Sequence, residues 1–123
     1  MKIAVITVCY NSAATILDTL RSVDNQGHQH VEHIVIDGAS TDGTLEVLQA
    51  HGSQLSVLVS EPDNGIYDAL NKGFAVSTGD IVGILHSDDR FYDSTVLARV
   101  AKAFEDSSVD YVYGDVEMVR PDG

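Results

Sequence analysis

Hydrophobic and polar positions along the chain switch repeatedly between two periods. Ile3-Ala4-Val5-Ile6-Thr7-Val8 is a nearly continuous β-branched run, the pattern of a strand buried on both faces. Beyond Asn11, the residues Ala13, Ile16, Leu17, Leu20 and Val23 recur at helical spacing, with Ser12 placed to cap the helix and Gln26-Gly27 to stop it. The switch repeats down the chain. Further strands are predicted from Val31 to Ile36, Leu55 to Val59 and Ile81 to Leu85, and further helices from Thr44 to Ala50, around Ile66 to Phe74 and from Val96 to Phe104. Tyr111-Val112-Tyr113 reads as a fifth strand, and Val116 to Val119 alternates like the start of another. Strands alternating with helices imply βαβ units: an α/β domain with a mostly parallel sheet and helices on both faces.

The polar and small residues cluster just after the strands. Tyr10-Asn11, Asp37 to Asp42, Asp63-Asn64-Gly65 and His86 to Asp89 all follow a predicted strand. In an open parallel sheet these carboxyl-end loops form one rim, and ligands bind there. One face of the molecule is thus marked as the site by loop placement alone.

Composition narrows the partners. The chain has 123 residues, one domain's worth, and carries 7 Lys+Arg against 19 Asp+Glu, a formal net charge of −12. That balance excludes an electrostatic footprint for nucleic acid or an anionic membrane. No apolar run approaches the ~20 residues a membrane-spanning helix requires. The single cysteine, Cys9, excludes an intramolecular disulfide framework and reads as a buried inert thiol, suited to a reducing, cytoplasmic setting. The histidines lack an i,i+4 pair on a helix face, which disfavours zinc.

Asp88-Asp89 is the sharpest chemical feature. Adjacent carboxylates at a strand end point different ways and can serve two partners: one a sugar hydroxyl, the other a hard divalent cation. The competing reading is a solvated pair that caps the following turn. Asp37 can accept bonds from a nucleobase N–H or ribose hydroxyl, or it can fix an Asx turn; Asp42 reads as the cap of the Thr44 helix. His86 is either a ligand beside the Asp pair or a structural histidine. Neither G-x-x-x-x-G-K-[ST] nor G-x-G-x-x-G follows the first strand, where the turn is Tyr10-Asn11-Ser12-Ala13, and G-x-S-x-G is absent.

Taken in order, Val5 to Asn11, Ile34 to Thr44, Glu61 to Gly73 and Leu85 to Asp89 resemble the nucleotide-binding half of family-2 glycosyltransferases, which have the Rossmann-like GT-A fold. The resemblance spans essentially the whole chain, and the Glu61–Gly73 stretch is similar to the branch that builds bacterial surface polysaccharides. It implies that residues 1–123 form a single donor-binding domain, the amino-terminal part of a longer enzyme. Such an enzyme transfers sugar, with inversion, from a nucleoside-diphosphate sugar (a UDP-sugar) to a glycan or lipid-linked acceptor. Val8, Tyr10 and Asn11 would border the base or ribose, Asp37 would read the base, and Asp63 and Lys72 would line the donor pocket. Asp88 would meet the ribose or sugar, and Asp89 would bind Mn²⁺ or Mg²⁺. Two positions depart from the family pattern, since many members carry Asp where His86 and Gly38 stand. The general base is expected beyond residue 123, with Asp115 a weak candidate. The full-length protein is expected in the cytoplasm or at the inner membrane face, and the strand edge near Val116–Val119 is expected to be open to pairing with another copy. The rival readings are a nucleotidyltransferase, whose first loop would be basic and Gly-rich, and a non-catalytic nucleotide-binding or interaction module. A receiver-like signalling domain is a weaker form of the second.

Overall fold

The computed structural model describes residues 1–106 and the strand segments 111–112 and 117–119. Its centre is β1 (Ile3–Cys9), in which every residue is buried. Successive side chains of a strand point to opposite faces, so a strand covered on both sides must be apolar throughout. Ile3 and Val5 pack with Val23, Leu97, Val100 and Phe104, and Cys9 packs with Ile16, Leu20, Val35 and Leu48. This face carries α1 (Ile16–Asp24), α2 (Thr44–Ala50) and α4 (Val96–Phe104). Ala4, Ile6 and Val8 point the other way and meet Ala69 of α3 (Ile66–Val76). Gly73 of α3 lies so close to β1 that a Cβ there would stand 2.6 Å from Ile6 Cγ2.

β1 is flanked by β2 (Val31–Asp37) and β4 (Ile81–Ile84), both parallel to it, and β3 (Val57–Ser60) lies parallel outside β2. The full order is β3-β2-β1-β4-β6-β5, where β5 is Tyr111–Val112 and β6 is Glu117–Val119. The chain moves outward from β1 to β3 and returns through α3 to the other side of β1. The carboxyl ends of β1 and β4 therefore border a topological switch point, where an α/β sheet opens a crevice.

The expected α/β class, the mostly parallel sheet and the helices on both faces are all present. Three details differ. Helix α1 begins at Ile16 rather than Ala13, because Ser12 is drawn into loop contacts and its carbonyl accepts the N–H groups of Thr15 and Ile16 instead. β3 begins at Val57, because a short 3-10 turn occupies Gly52–Gln54 and Leu55 packs against the Leu48 cluster. The segment expected as an open edge, Glu117–Val119, lies inside the sheet: it pairs antiparallel with β4 on one side and β5 on the other. No helix among the described residues is long and apolar enough to cross a membrane.

Candidate functional site

Where the ends of β1 and β4 diverge, a cleft of about 900 Å³ opens. It is lined by Val8, Tyr10, Asn11 and Ser12 after β1, by Asp63, Gly65 and Ile66 before and within α3, and by His86, Ser87, Asp88 and Asp89 after β4. A volume of this size is within the range of small-molecule sites, ~300–1,000 Å³.

The first and second loops are laced together. Asn11 N–H donates to Ser40 Oγ at 2.8 Å, and Thr41 N–H donates to Asn11 Oδ1 at 2.9 Å. Ser12 N–H donates to Thr44 Oγ1 at 2.8 Å, and Ala13 N–H to Asp42 Oδ2 at 3.1 Å. Asn11 (φ 51°) and Ala39 (φ 63°) are the non-glycine residues with positive φ among those described, and both sit in these loops. Side-chain crowding disfavours that conformation, so the lacing holds the backbone where it would not rest alone. Asp42 also accepts the Thr44 N–H and hydroxyl through Oδ1, but from one position before the N-cap. The cap residue of α2 is Gly43, in the left-handed region and with no side-chain cap bond, so the expected cap role of Asp42 is not met. The Thr44 hydroxyl is the largest cause of a carboxyl pKa below the ordinary Asp value.

The acidic turn is held from behind by a polar stripe that sequence reading missed. Ser12, Thr15, Thr19, Ser22 and Gln26 follow one another at intervals of three and four, one face of a helix and its flanks. Ser12 and Ser87 share a hydroxyl–hydroxyl bond of 2.8 Å. Thr15 Oγ1 donates to the Ser87 carbonyl at 2.9 Å. Thr19 Oγ1 meets the carbonyls of Ser87 at 3.0 Å and Asp89 at 2.5 Å. Ser22 Oγ accepts the Phe91 N–H, and Gln26 bonds the Asp93 carbonyl and the Leu97 N–H. The signal was the spacing of short polar side chains on a helix that otherwise faces the core.

The expected site residues divide into two groups. Val8, Tyr10, Asn11, Asp63, Asp88 and Asp89 come together at the cleft. Asp37 and Lys72 do not line it. Asp37 is fully buried, and its carboxylate accepts the Ser40 N–H and hydroxyl, the Ser60 hydroxyl and the Cys9 thiol. Burial, followed by the charge and hydrogen bond of Asp37, pushes the Cys9 thiol well above its ordinary pKa, so it remains a protonated donor. Lys72 Nζ donates to the Pro62 carbonyl at 3.1 Å and pairs with Glu61 at 3.0 Å, strapping the loop before α3 to the helix. The bond to Glu61 is the main reason that its ammonium pKa is raised. Asp63 Oδ1 accepts the Gly65 N–H, and its Oδ2 faces Gly38. Asp115 lies outside the described residues.

The lining holds the carboxylates of Asp42, Asp63, Asp88 and Asp89 and, among the described residues, no Lys or Arg. A diphosphate entering it needs a cation to offset like-charge repulsion. Asp88 and Asp89 are exposed, and no other described residue bonds their carboxylates, so their oxygens face the cleft unspent. No described group of three His, Cys, Asp or Glu side chains gathers as a metal cage. That donor set suits Mg²⁺ or Mn²⁺, which take one or two carboxylates and complete the octahedron with phosphate oxygens and water.

The family model described as Glycosyl transferase family 2 matches residues 4–123. An uncharacterised glycosyltransferase of Mycobacterium tuberculosis is 39% identical over 102 residues, covering 82% of this chain and 39% of that protein. TuaG of Bacillus subtilis, assigned as a glycosyltransferase of teichuronic acid biosynthesis, is 38% identical over 124 residues, covering 98% of this chain and 49% of its own. Among solved structures, S. aureus TarS 1–349 in complex with UDP-GlcNAc superposes with a TM-score of 0.82 at 26% identity, over 90% of this chain and 33% of that one. The chain therefore spans half or less of the length of these proteins.

Proposed function

Because the chain belongs to glycosyl transferase family 2, we propose that residues 1–123 form the donor-binding domain of an inverting, metal-dependent glycosyltransferase that uses a UDP-sugar. The observation that carries this is the cleft at the switch point, whose lining includes four carboxylates and, among the described residues, no Lys or Arg, and which ends in the unengaged pair Asp88-Asp89. The TarS complex with UDP-GlcNAc supports uridine as the base, and TuaG supports a surface polysaccharide or lipid-linked glycan as the acceptor.

In this reading Val8, Tyr10 and Asn11 border the base and ribose. Tyr10 is 63% exposed at the cleft mouth, which leaves a ring face free for a base. Asp37 supports that wall from beneath through Ser40 and Ser60. For its carboxylate to read a base N–H directly, one of those serines would have to release it. Asp63 borders the donor, and Lys72 keeps the Asp63 loop in place. Asp88 accepts a hydroxyl of the ribose or sugar, and Asp89 holds Mn²⁺ or Mg²⁺. When bound, that ion supplies the positive charge that stabilises the leaving diphosphate. The base that deprotonates the acceptor hydroxyl must come within hydrogen-bond reach of it, and it is assigned to a carboxylate outside the described residues.

The test is a calorimetric titration of UDP with and without Mn²⁺, for the wild type and for Asp89→Asn. Metal-dependent binding that the substitution abolishes is expected. A folded wild type that binds neither UDP, GDP nor dTDP overturns the reading in favour of an interaction module.

A further inference from the structure

We infer that Thr19, one helix behind the cleft, is a positioning residue that sets where the Asp89 carboxylate stands. This rests on the donor-site reading only in what the carboxylate then binds. Asp88 and Asp89 have no bond to their side chains from other described residues, so the backbone of their turn alone sets where each Cα–Cβ bond stands, and with it the space each carboxylate can reach. Within the turn itself the one bond across it is Asp89 N–H to the His86 carbonyl at 3.0 Å. The side chains that restrain it from behind are Ser12 and Thr15, just before α1, and Thr19 within it.

The two ends of the turn are restrained unequally. The Ser87 carbonyl accepts from both Thr15 and Thr19, at 2.9 and 3.0 Å. The Asp89 carbonyl has Thr19 alone, at 2.5 Å. Thr19 is fully buried, and its β-branched side chain has few rotamers open to it. A helical threonine ordinarily turns its hydroxyl back to a carbonyl of its own helix, whereas this one is spent on another segment. Loss of the hydroxyl would leave the Ser87 end tethered and release the Asp89 end. Asp89 should move while Asp88 stays closer to its place.

Thr19→Val removes the hydroxyl at nearly constant volume, and Thr19→Ser restores it. Amide hydrogen exchange at 88–90, measured without any nucleotide, is expected to rise about tenfold in Thr19→Val and to return to the wild-type rate in Thr19→Ser. Calorimetry should then show the Mn²⁺-dependent gain in UDP affinity reduced about tenfold in Thr19→Val, with metal-free affinity within about twofold of wild type. If Thr19→Val does not fold, Thr19→Cys keeps the volume with a weaker donor and should give an intermediate exchange rate. Unchanged exchange overturns the inference. So does a loss of UDP affinity that is equal with and without Mn²⁺, or a Thr19→Ser variant that behaves like Thr19→Val. A wild type without Mn²⁺-dependent UDP binding would instead remove the donor-site reading, and the exchange rates would still decide the role of Thr19.

Discussion

Gly38 and Asp63 compete for one space: a Cβ built on Gly38 would stand 2.8 Å from Asp63 Oδ2 and 3.5 Å from Tyr10 Cδ1. Many family members carry an aspartate at the position of Gly38. Here the nearby carboxylate comes from Asp63 on another loop. Gly38→Ala should push the Asp63 side chain aside at small cost to the fold, because the displaced atoms are the end of a short flexible chain. The expected result is a UDP affinity lowered about threefold to tenfold, with stability changed by less than about 1 kcal/mol. Calorimetry and a urea melt on the same sample separate the two effects.

The adjacent carboxylates should also be separable. Asp89→Asn is expected to remove the Mn²⁺-dependent part of UDP binding, a loss of at least about tenfold, and chelation of the metal should reproduce it in the wild type. Asp88→Asn is expected to weaken binding of an intact UDP-sugar more than that of UDP. The reverse assignment would show as a metal response lost in Asp88→Asn and kept in Asp89→Asn.

Asn11 combines a strained backbone with a side-chain bond to the Thr41 N–H. Asn11→Ala loses the bond and places a Cβ residue at positive φ without the compensation, so a destabilisation of about 1–2 kcal/mol is expected. Asn11→Gly loses the bond but relaxes the backbone, and thermal melts should place it between wild type and Asn11→Ala.

His33 gives the fold a pH dependence of known sign. It is buried in β2, with Nε2 2.9 Å from Thr7 Oγ1 and no partner at Nδ1. Burial lowers its pKa from 6.5 to about 4. The unfolded chain therefore binds a proton that the folded chain refuses. This contribution to stability is fully present above pH 6.5 and is lost as pH falls toward 4. Between pH 7.5 and 5 the loss should be about 2 kcal/mol, read from urea melts. The double variant Thr7→Val, His33→Leu removes both partners and should flatten the dependence over that window.

How much of this was legible beforehand follows from what each residue answers to. The strand Ile3–Cys9 announces itself because burial on both faces leaves no room for polar positions, and the loops after strands carry the site because topology puts them on one rim. The placement of Asp88 and Asp89 at the cleft was legible for the same reason. Asp37 was not: its sequence context is the same whether its carboxylate faces a ligand or Ser40 and Ser60, and only packing decides between them. The role of Thr19 depends on a segment some seventy positions away, so local spacing could show a polar stripe but not its partner. The antiparallel placement of Glu117–Val119 was equally hidden, because three alternating residues do not specify direction.

Gly73 gives the cleft a mechanical property. At that point α3 rests on Ile6 with no side chain of its own between them, while its first turn carries Ile66 into the cleft wall. The helix is seated on the sheet there and again at Ala69, which packs beside Ile6 and Val8. A methyl group at Gly73 would have to push α3 and Ile6 apart. The seating of a helix that supplies part of the cleft wall thus depends on a missing side chain at a position outside the lining.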